Sequence, residues 1–236
     1  MEITKKQRIW ELDAFRGVFI VGMVVVHILY DIKYMFGEDI YLPPLYDFVK
    51  DYGSALFILL SGICVTLGRR SVKRGLTVLA LGMGISVVME VLKGYDSSFI
   101  PIYFGILHLL GVCMLLYPLY KRLPLWVTAT LGVAIYCAKF LIEDVWRTNT
   151  YGNWLLPFGI TDIGMADYFP LIPHLGVFMI GTVLGRTLYK SKESLLPQKI
   201  GDNAVVRFFS LCGRASLWIY VAHQPIVYGV LYLIFG

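Results

Sequence analysis

The fold is decided by the stretch Asp13-Ala-Phe-Arg16-Gly17-Val-Phe-Ile-Val-Gly-Met-Val-Val-Val-His27-Ile-Leu-Tyr-Asp31. It belongs to an apolar run long enough to cross a bilayer, which takes roughly 20 residues. At ~100° per residue, Arg16 and His27 are about three turns apart and share one face of a helix. Asp31 lies one turn after His27 on the same face. Ionisable groups in a membrane are costly and usually face a protein interior. This stretch therefore predicts a membrane helix that carries a functional site.

Composition places almost the whole chain in the membrane. Of its 236 residues 58% are hydrophobic and 16% are charged, whereas soluble domains carry about 25% charged residues. We predict an all-α integral membrane protein with a single domain over residues 1–236. No small-residue cleavage site follows the first apolar run, so we expect a retained span rather than a signal peptide.

Seven apolar segments predict about seven transmembrane helices. They lie near residues 14–36, 48–68, 72–92, 101–120, 124–142, 170–189 and 208–235. The last is long and contains Gly213, which leaves open an interfacial turn at its start. Lysine and arginine occupy the N-terminal tail and the connections after spans 2, 4 and 6, while the other connections are acidic. Positive charge marks the cytoplasmic side. We therefore expect a multi-pass protein of the cytoplasmic membrane, with the N-terminus inside and the C-terminus outside.

The connection from about residue 143 to 169 is the longest, and it is rich in aromatic residues. Long ordered loops often have a function, so a lid over an outward-facing cavity is one interpretation. Interfacial anchoring by its aromatic side chains is the other.

Histidines in the spans are the candidate proton-transfer groups, because imidazole exchanges protons near neutral pH. His27 with Asp31 one turn away resembles a base held by a carboxylate, although a His–Asp pair that only locks helices together is the alternative. His108 in span 4 is expected at a depth comparable to that of His27. It either positions a substrate or bonds another helix. His223 lies near mid-depth in the last span, two residues before Pro225.

Arginines near the inner face are the candidate phosphate-binding groups, since guanidinium binds phosphate in a bidentate manner. For Arg16 and Arg214, each within a motif-like run, we favour a functional role. For Arg69 and Arg70 the alternative is the ordinary positive charge of a cytoplasmic connection. Phosphate-binding groups inside and histidines further out suit a reaction that joins a cytoplasmic phosphorylated donor to an outer acceptor.

Four motifs, in chain order, resemble those of the heparan-alpha-glucosaminide N-acetyltransferase catalytic family. They are Asp13-x-x-Arg16-Gly17 followed by Met23 and His27; Phe57-x-x-Leu60-Ser61-Gly62; Phe104-Gly105-Ile106-Leu107; and Gly213-Arg214-Ala-Ser216-Leu-x-Ile-Tyr220-x-x-His223-Gln224-Pro225. The last resembles a motif shared with bacterial envelope acyltransferases of the acyltransferase-three type. The resemblance covers nearly the whole chain.

The resemblance implies a transmembrane acyltransferase-like bundle. It implies transfer of acetyl from cytoplasmic acetyl-CoA, the donor substrate, to an amine or hydroxyl of an extracytoplasmic envelope sugar. We assign the catalytic set to His27, Asp31 and His108, and the acetyl-CoA set to Arg16, Arg214, Arg69, Arg70 and His223. Lysosomal members place their proposed catalytic histidine in the outer loop after span 1, where this chain has Gly37, Glu38 and Asp39. His27 is therefore the stronger candidate here, as general base or acyl carrier.

Two other functions remain open at this stage. The His27 and Asp31 pair suits a proton relay in a proton-coupled transporter or flippase, and an inert membrane scaffold would need neither residue. The sequence has no Walker motif, no dinucleotide glycine fingerprint and no metal-ligand pair at a standard spacing. We expect the lipid bilayer, acyl-CoA and an extracytoplasmic glycan as partners, with no nucleic acid and no metal. The chain is short for the family, which leaves homodimerisation or a reduced acceptor site open.

Overall fold

The computed structural model describes residues 8–97, 99–145, 157–158 and 164–236. These residues form helices joined by irregular connections and contain no strands, so the all-helical prediction is confirmed for this part of the chain. The helices are α1 (Trp10–Tyr30), α2 (Pro44–Leu67), α3 (Ser71–Tyr95), α4 (Ile106–Tyr120), α5 (Leu125–Val145), α6 (Leu171–Leu188), α7 (Gln198–Gly201), α8 (Ala204–Arg214) and α9 (Ser216–Phe235).

Membrane crossing is supported by the length and apolarity of these helices. Among the described residues, four helical segments are long and apolar enough to span a bilayer: Trp10–Met35, Ser71–Tyr95, Leu171–Leu188 and Ser216–Phe235. Helix α2 is bent by 41° and would be a fifth if it crosses as one span. The apolar helices Ile106–Tyr120 and Leu125–Leu141 are shorter. The count of seven spans and the orientation of the termini stay predictions.

Two predicted spans differ from the observed helices. Residues 101–105 are not helical, because the Asp167 side chain accepts a hydrogen bond from Ile106 N–H at 3.0 Å and so marks the start of α4. The segment 208–235 is divided at Ala215, whose ψ of 4° breaks the run of helical dihedrals between α8 and α9. Most of the predicted lid at 143–169 lies outside the described residues.

The chain forms two compact units. One comprises Met1–Leu60 and Leu188–Gly236, and the other comprises Ser61–Thr187. The first, termed here the terminal unit, contains α1, α7, α8 and α9. The second, the central unit, contains α3, α4, α5 and nearly all of α6. One boundary between the units falls inside α2.

Helices α1 and α8 of the terminal unit cross through two glycines. A Cβ placed on Gly17 would overlap the Phe209 carbonyl oxygen and lie 3.0 Å from Gly213 N. A Cβ on Gly213 would overlap the Asp13 carbonyl oxygen and lie 2.9 Å from Gly17 N. Small residues at such a crossing let two backbones approach closely. The first and last motifs each supply one glycine, so the crossing brings these motifs together.

A buried carboxylate ties the α6–α8 connection to the start of α1. Glu11 is buried, and it accepts hydrogen bonds from Ser194 Oγ at 2.6 Å and Leu195 N–H at 2.7 Å. The Trp10 ring packs on Gly201 in α7, 2.9 Å from where a Cβ would stand. Buried charge requires such partners, so these contacts fix the path of the chain into α8.

Candidate functional site

The first part of the site is the C-terminal end of α1 and the turn that follows it, where Asp31 comes one helical turn after His27. The helix continues past Tyr30 as a π-helical turn over Asp31–Met35, in which Phe36 N–H bonds the Asp31 carbonyl at 2.9 Å. Such widened turns occur frequently at functional sites. Asp31 is 1% exposed, whereas His27 is half-buried. The local sequence thus places a buried carboxylate beside an accessible imidazole.

Helix α9 completes this group with His223 and Gln224. The His223 ring packs edge to face against His27, with ring centroids 4.9 Å apart. Gln224 Nε2 donates a hydrogen bond to Asp31 Oδ2 at 2.8 Å. The hydrogen bond that holds the Asp31 carboxylate therefore comes from Gln224, while His27 lies within electrostatic range of the same carboxylate. We call these four residues the polar cluster.

Hydrogen bonds decide which nitrogen carries the proton in each neutral imidazole of the cluster. His27 Nδ1 lies 2.9 Å from the Met23 carbonyl oxygen, and His223 Nδ1 bonds the Tyr220 carbonyl oxygen. A carbonyl only accepts, so Nδ1 must be the donor in both rings. Each Nε2 consequently presents a lone pair, which is the form of a general base or nucleophile.

Two acceptor atoms of the cluster are buried without a hydrogen-bond partner: His223 Nε2 and Gln224 Oε1. The Gln224 amide cannot turn to relieve this, because an ionised carboxylate accepts only and Asp31 therefore requires the NH2 end. Buried polar atoms are usually satisfied in native structures, and each exception calls for an explanation. The next residue, Pro225, has no N–H, so the Val221 carbonyl also lacks its usual helical hydrogen bond at this point of α9.

The candidate phosphate-binding arginines of the terminal unit lie beside the two crossing glycines. Chain geometry limits the distance between the Cα atoms of Arg16 and Arg214 to about 14 Å. The Arg16 guanidinium is 3.6 Å from Asp13 Oδ1, and its side chain is 22% exposed. Arg214 is exposed. The structure thus brings these two predicted residues into one region of the terminal unit, and Arg16 is partly neutralised by Asp13.

The other predicted site residues lie in the central unit. Gly105 N–H donates to His108 Nδ1 at 3.2 Å, so His108 carries its proton on Nε2, which is 3.3 Å from Ser86 Oγ. Both ring nitrogens of His108 are thus engaged within the protein, as in a histidine that links two helices. Arg69 and Arg70 are exposed between α2 and α3. Their assignment to acetyl-CoA stays a prediction.

Asp167 accounts for the glycine of the third motif. A Cβ on Gly105 would overlap Asp167 Oδ2 and lie 2.9 Å from its Cγ, so a larger residue would displace the carboxylate that caps α4. Gly62 of the second motif likewise lies against the α6 backbone, where a Cβ would overlap the Phe178 carbonyl oxygen. Every motif that the sequence singles out therefore includes a glycine or polar group in a tertiary contact.

Comparison with known proteins identifies the family. A model of the family described as "heparan-alpha-glucosaminide N-acetyltransferase, catalytic" matches residues 8–225. The chain belongs to this family. No curated protein and no solved structure matches the chain.

Membership of the heparan-alpha-glucosaminide N-acetyltransferase catalytic family confirms the resemblance drawn from the motifs and implies that the chain is a transferase. The apolar helices make it a membrane protein. The matched region includes both the Gly17–Gly213 crossing and the polar cluster. In the sequence Gln224 is one residue of the last motif, and Asp167 is one of the acidic residues in the connection before span 6. No local pattern shows that either contacts a residue more than 60 positions away.

Proposed function

We propose that the protein is an acetyl-CoA-dependent transmembrane acyltransferase that modifies an amine or hydroxyl of an extracytoplasmic sugar of the cell envelope. The observation that carries this proposal is the polar cluster, in which His27 packs against His223 and lies within electrostatic range of the buried Asp31 carboxylate, in a chain of this acetyltransferase family. The family name describes acetyl transfer to the nitrogen of a glucosaminide, which favours an amino sugar as the first acceptor to test.

Arg16 and Arg214 are proposed to bind the phosphates of acetyl-CoA. Their proximity across the Gly17–Gly213 crossing suits a ligand with several phosphate groups, because two guanidinium groups can each engage one phosphate. The Arg16 guanidinium would exchange its 3.6 Å contact with Asp13 for a phosphate oxygen. Arg214 is exposed and needs no such exchange.

In direct transfer, the acceptor nitrogen or oxygen attacks the carbonyl carbon of the acetyl thioester. The new C–N or C–O bond forms, the C–S bond breaks, and the proton of the nucleophile passes to His27 Nε2 and then to the CoA thiolate. Asp31 stabilises the imidazolium that forms, as a carboxylate does for other bases. In a ping-pong route, His27 Nε2 itself attacks the thioester and carries the acetyl group before the acceptor takes it.

A proton-coupled transporter or flippase is the second candidate, since a buried His223 against His27 could relay protons. The two proposals differ in their need for a phosphate-binding site. An acyltransferase must bind acetyl-CoA, whereas such a carrier has no use for it.

The first experiment is calorimetric titration of acetyl-CoA into the purified full chain. We expect saturable binding that Arg16→Ala and Arg214→Ala each weaken about tenfold or more, as loss of a charge-assisted contact would do. Arg207→Ala is the matched control, because Arg207 is exposed on the same helix as Arg214 but is not part of the proposed site. A folded protein that does not bind acetyl-CoA would refute the acyltransferase proposal.

The second experiment measures acetyl transfer from acetyl-CoA to methyl glucosaminide by release of the CoA thiol. We expect His27→Ala to abolish transfer while acetyl-CoA binding persists. His174→Ala is its control, because His174 Nδ1 is likewise bonded to the carbonyl four residues before it, Pro170, but lies in the central unit. Equal loss in both variants would argue against a specific role for His27. Trapping of acetyl-enzyme without acceptor would identify the ping-pong route.

A further inference from the structure

The two unpartnered acceptors of the polar cluster indicate what the cluster binds. His223 is 8% exposed, and its Nε2 is buried without a partner, as is Gln224 Oε1. The His223 ring packs against His27, and the Gln224 amide bonds Asp31. The neutral His27 ring leaves its Nε2 as a third lone pair. A group that fills this site must bring donors and has no need of acceptors of its own.

We infer that Gln224 is a specificity-determining residue whose Oε1, together with His223 Nε2, receives the N–H groups of a primary amine and holds it beside His27. This inference rests on the proposed function and deepens it by choosing between the amine and hydroxyl acceptors. A primary ammonium has three N–H donors and no acceptor, which matches in number the three lone pairs of His27 Nε2, His223 Nε2 and Gln224 Oε1. A hydroxyl brings one donor and leaves buried acceptors unpaired.

The number of protons that the reaction releases also favours an amine acceptor. A primary ammonium that becomes an amide loses two protons, whereas a hydroxyl that becomes an ester loses one. In the direct reaction His27 Nε2 takes the first proton and frees the attacking lone pair. His223 Nε2 takes the second as the C–N bond forms and the C–S bond breaks. One proton then returns to the CoA thiolate and the other leaves to water, while Gln224 Oε1 keeps the N–H of the product amide.

Asp31 is the positioning residue in this arrangement. Its carboxylate binds the NH2 end of Gln224 at 2.8 Å and so turns Oε1 away from itself. An amide at position 31 would let the Gln224 side chain turn over and offer a donor to the amine. The substitution pair Asp31→Asn and Gln224→Glu reverses the hydrogen bond and restores an acceptor oxygen at position 224.

The test compares methyl glucosaminide with methyl glucoside, which differ at one position as amine against hydroxyl, as acceptors for the purified full chain. We expect the wild type to prefer the amine in kcat/KM by on the order of 10- to 100-fold, the effect of leaving a buried acceptor unpaired. Gln224→Met, close in volume and without hydrogen-bonding groups, should bring this ratio close to one while acetyl-CoA binding is unchanged. The matched control is Gln198→Met on α7, which should keep the wild-type ratio.

Thermal unfolding shows whether Gln224→Met folds. If it does not fold, the double variant Asp31→Asn/Gln224→Glu replaces it as the test. It should retain the preference for the amine, and Asp31→Asn alone should lose it. Wild-type protein that binds acetyl-CoA but uses both acceptors equally, or neither, would overturn the inference and leave the donor proposal standing. Equal loss of both activities in Gln224→Met would overturn it as well. Absence of acetyl-CoA binding would instead defeat the proposed function.

Discussion

The Gly17–Gly213 crossing offers the sharpest test of how the terminal unit is held together. In Gly17→Ala the new methyl would overlap the Phe209 carbonyl oxygen and lie 2.6 Å from its carbon. Non-bonded carbon atoms are comfortable at about 3.5–4.0 Å, and the oxygen is closer still, so α1 and α8 would have to separate by at least about 1 Å. The obstructing atoms are backbone and cannot adopt another rotamer.

The expected cost follows from this geometry. Overpacking costs typically about 1–3 kcal/mol, and rigid backbone puts Gly17→Ala near the upper end, at about 3 kcal/mol. Gly229→Ala is the matched control in the same unit, because a Cβ there would meet nothing within 4 Å. That variant should gain up to about 1 kcal/mol from helix propensity. By the scaling for domains of 150–250 residues, 3 kcal/mol lowers Tm by roughly 6–12 °C.

The assay is thermal unfolding of the purified full chain, followed by tryptophan fluorescence, with acetyl-CoA affinity measured beside it. Because Arg16 and Arg214 adjoin the two glycines, a 1 Å separation should weaken acetyl-CoA binding in Gly17→Ala and leave it unchanged in Gly229→Ala. If Gly17→Ala unfolds at the temperature of Gly229→Ala, the close crossing does not exist as described.

Substitutions at three further contacts give additional tests. Glu11→Ala should destabilise the terminal unit by about 1–3 kcal/mol, because it leaves the Leu195 N–H unpaired and leaves the Ser194 hydroxyl only the Leu196 carbonyl as acceptor. Ser194→Ala, which keeps the bond between Leu195 N–H and Glu11, should cost less, and an equal cost would contradict the contact. Asp167→Ala should cost about 1 kcal/mol of stability, because α4 loses its cap. Adding Gly105→Ala should cost little more, since both substitutions disturb the same contact between Asp167 and the start of α4. Additive costs of the two substitutions in a thermal-unfolding double-mutant cycle would disprove this coupling. Arg186→Ala should lower Tm by removing the hydrogen bond to the Leu123 carbonyl at 2.8 Å, and an unchanged Tm would show that this bond contributes nothing.

Local periodicity was sufficient to predict that His27 and Asp31 lie close together, while their catalytic roles stay predictions. The spacing of 3.6 residues per turn places His27 and Asp31 on one face of the predicted helix, and the structure has both in one polar cluster, with Asp31 in the π-helical turn after α1. The lengths of the apolar runs likewise predicted where the helices lie. The exceptions are residues 101–105, which are not helical, and Ala215, which divides the last predicted span into two helices. The ordered motifs predicted the family, which the match over residues 8–225 confirms.

The partners of these residues depend on tertiary structure. Gln224 is 193 positions from Asp31, and Asp167 is 61 positions from Ile106. The atoms around each imidazole ring decide which ring nitrogen carries the proton. His108 Nδ1 accepts from Gly105 N–H, whereas His27 Nδ1 donates to the Met23 carbonyl, although both residues are single histidines in apolar helices.

The sequence by itself therefore determined the helices, their faces and the family, because hydrophobic periodicity and short motifs are local properties of the chain. Only the tertiary structure decided that Gly17 meets Gly213, that Gln224 holds Asp31, and that two acceptors stay buried without donors. These features arise from the close packing of helices distant in the chain, and that packing depends on all the contacting side chains together.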